Sequence, residues 1–153
     1  MPDAPPITDE RQIYLSADLA CRLAAIDIGS NSVRLLVEHF LDEESMARTL
    51  AALRTFKEIA TGYQVTRLRT IATCAVREAR NGPEFCRRVR EEVGLEVEVI
   101  SGEREARLAF TSVQHAFDLA GRNTIVADIG GGSTEIVFAT GNLIESIFST
   151  PLG

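Results

Sequence analysis

Apolar residues recur along this chain in two rhythms. Between positions 125 and 138 an apolar run enters Gly130, Gly131 and Gly132, a Ser133-Thr134 pair follows, and a second alternating run leaves. That rhythm of two predicts strand, tight turn, strand. The same shape occurs near the start, with a strand over 22–28, a turn over 29–32 and a second strand over 33–40. Between them the rhythm is helical. Met46, Leu50, Leu53 and Ala60 share one face of a helix opening at Asp42 and ending near Gly62. A short strand is expected over 67–73, and Asn81-Gly82-Pro83 then starts a helix to about Val93. Residues 95–100 alternate as a strand. Ala106, Ala109, Phe110, Val113, Phe117 and Ala120 form the core stripe expected of a helix over 103–120. Strands over 124–128, 133–139 and 142–149 complete a meander, with a turn at Thr140-Gly141-Asn142. The sum is an α/β chain, a mixed sheet flanked by helices.

The two glycine turns share a word. Asp27, Ile28, Gly29 and Ser32 align with Asp128, Ile129, Gly130 and Ser133, and an alternating strand follows each. Two copies of Asp-Ile-Gly-x-x-Ser around a helical block suggest paired half-sites facing one ligand across a cleft. The chemistry suits an anion. Glycines without Cβ let backbone N–H groups close around a charge, and the Ser133 and Thr134 hydroxyls add donors. Asp128, at a strand end, can hold a divalent cation against that anion. For either turn alone, an ordinary glycine-rich hairpin is the plain alternative.

Composition narrows the choice of partner. The 153 residues are 45% hydrophobic and 25% charged, enough for one globular domain or for one domain and part of another. A net charge of −6 argues against non-specific nucleic-acid binding, yet it leaves a polyanionic substrate open through the local field of a site. Lys57 is the only lysine. Cys21, Cys74 and Cys86 are sparse and show no metal-ligand spacing, and His39 and His115 suggest no zinc site. Residues 1–20, with Pro2, Pro5 and Pro6, lack the basic start and apolar centre of a targeting peptide and read as a flexible leader. We expect a cytoplasmic chain with reduced thiols, no nucleic-acid partner and no membrane partner.

The paired turns resemble the phosphate loops of the actin, sugar kinase and heat-shock ATPase superfamily. Asp27-Ile-Gly-Ser30-Asn31-Ser32 and Asp128-Ile-Gly-Gly-Gly-Ser-Thr-Glu135 are similar to words of its exopolyphosphatase and guanosine pentaphosphate phosphohydrolase family. The resemblance covers residues 22–153 and implies an actin-like (ribonuclease H-like) fold. It implies a first domain over 21–121 and the opening strands of a second over 122–153. Family members carry a further strand and a basic, glycine-containing loop near position 40, and this sequence passes from Phe40 to the Asp42 helix without them.

The resemblance also assigns roles. Gly29, Ser30, Asn31 and Ser32, with Gly130, Gly131, Gly132, Ser133 and Thr134, are expected to bind phosphates. Thr73-Cys-Ala-Val-Arg77 matches a word whose arginine faces the phosphate; read alone, Arg77 is a solvated surface residue. Glu103 and Glu105 in a first helical turn merely complement the helix dipole. Within Ile100-Ser-Gly-Glu-Arg-Glu-Ala-Arg107, however, Glu105 matches the family's general base, and Arg104 departs from a paired glutamate. Mg²⁺ is expected near Asp128 and Glu135, with Asp27 contributing through water. The implied activity is hydrolysis of a terminal phosphoanhydride of inorganic polyphosphate or guanosine pentaphosphate. The alternatives are a non-catalytic module binding these polyanions, an ATP-dependent small-molecule kinase, and an actin-like assembly protein. Open strand edges make a homodimer possible.

Overall fold

The structure is a computed structural model and describes residues 23–29 and 40–153. The leader, the turn residues Ser30, Asn31 and Ser32, and all but the last residue of the strand expected over 33–40 lie outside it.

Two three-stranded sheets organise the described residues. Strand β1 (Leu23–Ile28) pairs in parallel with β2 (Arg67–Ala72), and β2 pairs in parallel with β3 (Val97–Val99). Parallel neighbours need crossovers, and helices supply them. Helix α1 (Glu43–Gly62) joins β1 to β2. Asp42 caps it, its carboxylate accepting from Ser45 N at 2.8 Å, and Glu43 and Glu44 complement the N-terminal dipole. Helices α2 (Cys74–Glu78) and α3 (Gly82–Arg88) join β2 to β3, and α3 runs on through a π-helical turn over Val89–Val93. Gly94, at φ 68°, ends that turn in the left-handed region glycine tolerates. Lys57 Nζ donates to the Val93 carbonyl at 2.7 Å, satisfying an acceptor at the helix end. Asn81 ties α3 to the start of α1: its Oδ1 accepts from Leu41 N at 2.8 Å and its Nδ2 donates to Leu41 O at 3.0 Å.

Helix α4 (Gly102–Ala116) follows β3 and leads into an antiparallel meander of β4 (Asn123–Ile129), β5 (Thr134–Thr140) and β6 (Leu143–Thr150). There are two cores. The first gathers Ile26, Ile28, Met46, Leu50, Leu53, Ala72, Phe85 and Val89 between the parallel sheet and its helices. The second packs Ala106 and Phe110 of α4 on Val137 and Ala139 of β5. The far face of the meander carries Ile125, Ile129, Phe138 and Phe148, which are exposed. No helix among the described residues is long and apolar enough to cross a membrane.

Three expectations need correction. The short helix α2 went unread in the sequence, because five residues give no period. Helix α4 stops at Ala116 rather than at 120, and Phe117 is already extended, with φ −134° and ψ 143°. There Asp118 accepts from Ala120 N at 3.0 Å, a side-chain bond that competes with the next helical turn. Phe117 and Ala120 therefore leave the core stripe, and Leu119 fills the core in their place.

Candidate functional site

The chemistry collects where the parallel strands end. The Ile100 N–H donates to Ala72 O at 3.0 Å, and Thr73 N reaches Ile28 O at 3.5 Å, so the last residues of β1, β2 and β3 lie side by side. Asp27 and Gly29 leave the end of β1, Thr73 and the Arg77 helix leave β2, and Ser101 and the Glu105 helix leave β3. The carboxyl ends of parallel strands are the general ligand crevice of α/β sheets.

Ser101 caps α4, its hydroxyl accepting from Arg104 N at 3.2 Å, which sets the first turn and with it Glu105. Arg77, at the end of α2, reaches into the same space. Its Nη1 donates to Glu105 Oε2 at 3.2 Å and to Ile100 O at 2.9 Å, and its Nε donates to Glu78 Oε1 at 3.1 Å. The side chains of Arg77 and Glu105 keep only 21% and 18% of their accessible surface, so this is no solvated surface pair. Burial pushes the Glu105 carboxyl above its ordinary range. Arg77 opposes that through its hydrogen bond, while the charges of Glu135 and Asp128 add to the rise. Arg104 turns aside to Glu98.

The second glycine turn approaches from the meander. It lies between β4 and β5, where Asp128 stands directly opposite Glu135 and Gly130 N donates to Ser133 O at 2.9 Å. Glu135 is buried, with 1% exposure, and both its oxygens meet hydroxyls: Ser149 Oγ at 2.8 Å and Ser133 Oγ at 3.3 Å. Thr134 Oγ1 donates to Leu152 O at 2.6 Å. The turn touches the parallel half through Cys74, the first residue of α2. A Cβ placed on Gly132 would lie 3.1 Å from Cys74 Sγ, and the Ser133 hydroxyl hydrogen-bonds the thiol. Burial pushes the Cys74 thiol up, while Ser133 and Arg77 pull it the other way. Gly102 meets the same group from α4, because a Cβ there would overlap Ser149 Oγ and come within 2.8 Å of Ser149 Cβ.

The structure thus brings together Arg77, Glu105, Asp128, Ser133 and Glu135. Asp27, next to the end of β1, is exposed and lines a surface groove beside Arg48, Thr49 and Phe56 of α1. The three carboxylates expected around a cation are not gathered into one cluster, and no such set of three or more ligands occurs among the described residues. Of the first turn, only Gly29 is described. Sequence reasoning passed over Cys74, Gly102 and Ser149. The signal was present for one of them: a glycine in the first turn of a helix weakens it unless something packs against the bare Cα.

Solved structures share this fold. A Ppx/GppA enzyme of Aquifex aeolicus is 32% identical, with a TM-score of 0.74 over 87% of this chain and 53% of that one. An exopolyphosphatase from Cytophaga hutchinsonii is 31% identical, with a TM-score of 0.81 over 86% of this chain and 51% of that one. This chain spans about half the length of those structures. The likeness bears out the α/β class expected from the sequence. The sequence profile of the Ppx/GppA phosphatase family matches residues 21–153. With most of its length matched, the chain belongs to the Ppx/GppA phosphatase family.

Proposed function

We propose that this chain supplies the phosphate-cleaving half of a hydrolase that releases terminal phosphate from inorganic polyphosphate or guanosine pentaphosphate. The observation that carries this reading is the sheltered Arg77–Glu105 pair beside the second glycine turn. Family membership and the exopolyphosphatase likeness support a phosphatase chemistry on polyphosphate.

Each side chain then has a duty. Glu105 takes the proton from the attacking water, a task that favours a carboxyl whose pKa is raised toward neutral pH. Arg77 keeps Glu105 ionised through Nη1 and offers the rest of its planar guanidinium to a transferring phosphate oxygen. The 130–134 turn holds the phosphate with backbone N–H donors, and Ser133 and Thr134 exchange their present partners for phosphate oxygens. Gly29, Ser30, Asn31 and Ser32 hold the neighbouring phosphate. Glu135 keeps the Ser149 hydroxyl when Ser133 turns to the phosphate. Asp128 is the carboxylate left exposed for Mg²⁺, which keeps most of its own waters and needs few protein ligands. When bound, the ion would neutralise charge on bridging phosphate oxygens. Little covalent chemistry falls to the protein, so positioning supplies most of the rate.

Half-length coverage favours one second reading, in which this chain binds the polyanion and cleaves it only when completed by further residues. The test is phosphate release from long-chain polyphosphate, guanosine pentaphosphate and ATP in parallel, with binding of each followed by calorimetry. Release from either of the first two, without nucleotide dependence, supports the hydrolase. Binding without release supports the half-site. Transfer that requires ATP and an acceptor would make it a kinase and end the hydrolase reading.

A further inference from the structure

We infer that Cys74 is a positioning residue that couples the Arg77 helix to the second glycine turn. The inference rests on the proposed phosphate chemistry for its consequence, though not for its geometry. Cys74 opens α2 and Arg77 lies three residues on, so both ride on one rigid turn of helix. The Cys74 thiol lies against the bare Cα of Gly132 and shares a hydrogen bond with the Ser133 hydroxyl, whose own proton goes to Glu135. Ser133 reaches Glu135, and Glu135 reaches Ser149 on β6. A chain of side-chain contacts therefore runs from α2 through the turn to the far strand of the meander. It joins the two sheets at the place where the arginine and the turn must approach one phosphate.

Size and chemistry both fit the duty. A side chain larger than Cys74 would press on Gly132, and a Cβ on Gly132 would press on Cys74, since a 3.1 Å contact lies inside ordinary packing distance. The thiol is 7% exposed and burial keeps it protonated, so it serves as a neutral partner rather than a nucleophile. Cys86 lines a different groove, beside Arg87 and Arg90, and has no part in this contact.

The test compares Cys74→Ala and Cys74→Ser with the unaltered chain. Amide exchange over 130–134, where Gly130 N is held by Ser133 O, reads the coupling without reference to substrate. Exchange is expected to speed up in Cys74→Ala and to return toward the original rate in Cys74→Ser, whose hydroxyl keeps a bond to Ser133. With polyphosphate as substrate, Cys74→Ala should raise KM about fivefold, the scale of one lost hydrogen bond, with kcat changed less and Cys74→Ser restoring it. Unchanged exchange in Cys74→Ala would overturn the inference, as would faster exchange with an unaltered KM. An unaltered chain that neither binds nor cleaves polyphosphate counts against the proposed function alone, and the exchange comparison then decides the coupling.

Discussion

Arg77 and Glu105 are joined across two helices by a bond of 3.2 Å, and the same Arg77 Nη1 is fixed by the Ile100 carbonyl at 2.9 Å. The arginine is therefore tied to the residue that follows β3 as well as to the carboxylate it serves. A lysine has the charge but lacks the Nε donor that holds Glu78 and the planar fork that would offer a further N–H to a phosphate oxygen. We expect Arg77→Lys to fold normally and to lose roughly a hundredfold in kcat/KM on polyphosphate, the scale of one lost charge-stabilising donor. Steady-state kinetics beside a thermal melt would show this, and retention of most activity would contradict it.

The pH dependence follows from the surroundings of Glu105. Burial raises its pKa, and Glu135 and Asp128 raise it further. A general base works when deprotonated, so activity should climb with pH through that raised pKa rather than through the ordinary range near about 4.3. Removing a neighbouring negative charge makes ionisation easier. Asp128→Asn should therefore move the acid limb of kcat/KM to lower pH, and Arg77→Met should move it to higher pH. A limb that stays put in both variants would remove Glu105 as its source.

Gly102 gives a prediction that opposes helix propensity. Alanine normally favours a helix over glycine by about 1 kcal/mol. Here its Cβ would come within 2.8 Å of Ser149 Cβ, a backbone-anchored atom that cannot rotate away. Gly102→Ala should destabilise the fold by about 1–3 kcal/mol, as overpacking does, and Ser149→Gly in the same chain should recover part of the loss. Denaturant midpoints of the single and double variants measure it, and a stabilised Gly102→Ala would show that the contact is absent.

The platform beneath Glu105 separates into a cap and a core. Ser101→Ala removes the α4 cap and should cost about 1 kcal/mol. Phe110→Ala opens the core under the same helix and should cost about 3–5 kcal/mol. The order of the two melting temperatures checks the assignment.

The sequence carried the strands and long helices plainly, because burial on one side imposes a period over many residues. Met46, Leu50 and Leu53 are all buried as their spacing required. The words around Gly130 and Glu105 pointed to segments that do meet in space. Three features were not legible, each for a physical reason. Helix α2 is shorter than a readable period. The stop at Ala116 depends on a side-chain bond from Asp118 that competes locally with the helix. Cys74, Gly102 and Ser149 matter through contacts between distant segments, and a single sequence records no such pairing. Glu135 shows a feature that residue type alone does not give: both its oxygens are engaged by serine hydroxyls.

The most direct measurement is phosphate release from long-chain polyphosphate with Mg²⁺ by the unaltered chain and by Glu105→Gln, with polyphosphate binding followed on both. Glutamine keeps the shape and removes the base. Release that collapses in the variant while binding survives is the result this account predicts. Equal release from the two proteins would contradict it, and the proton would have to leave the water by another route.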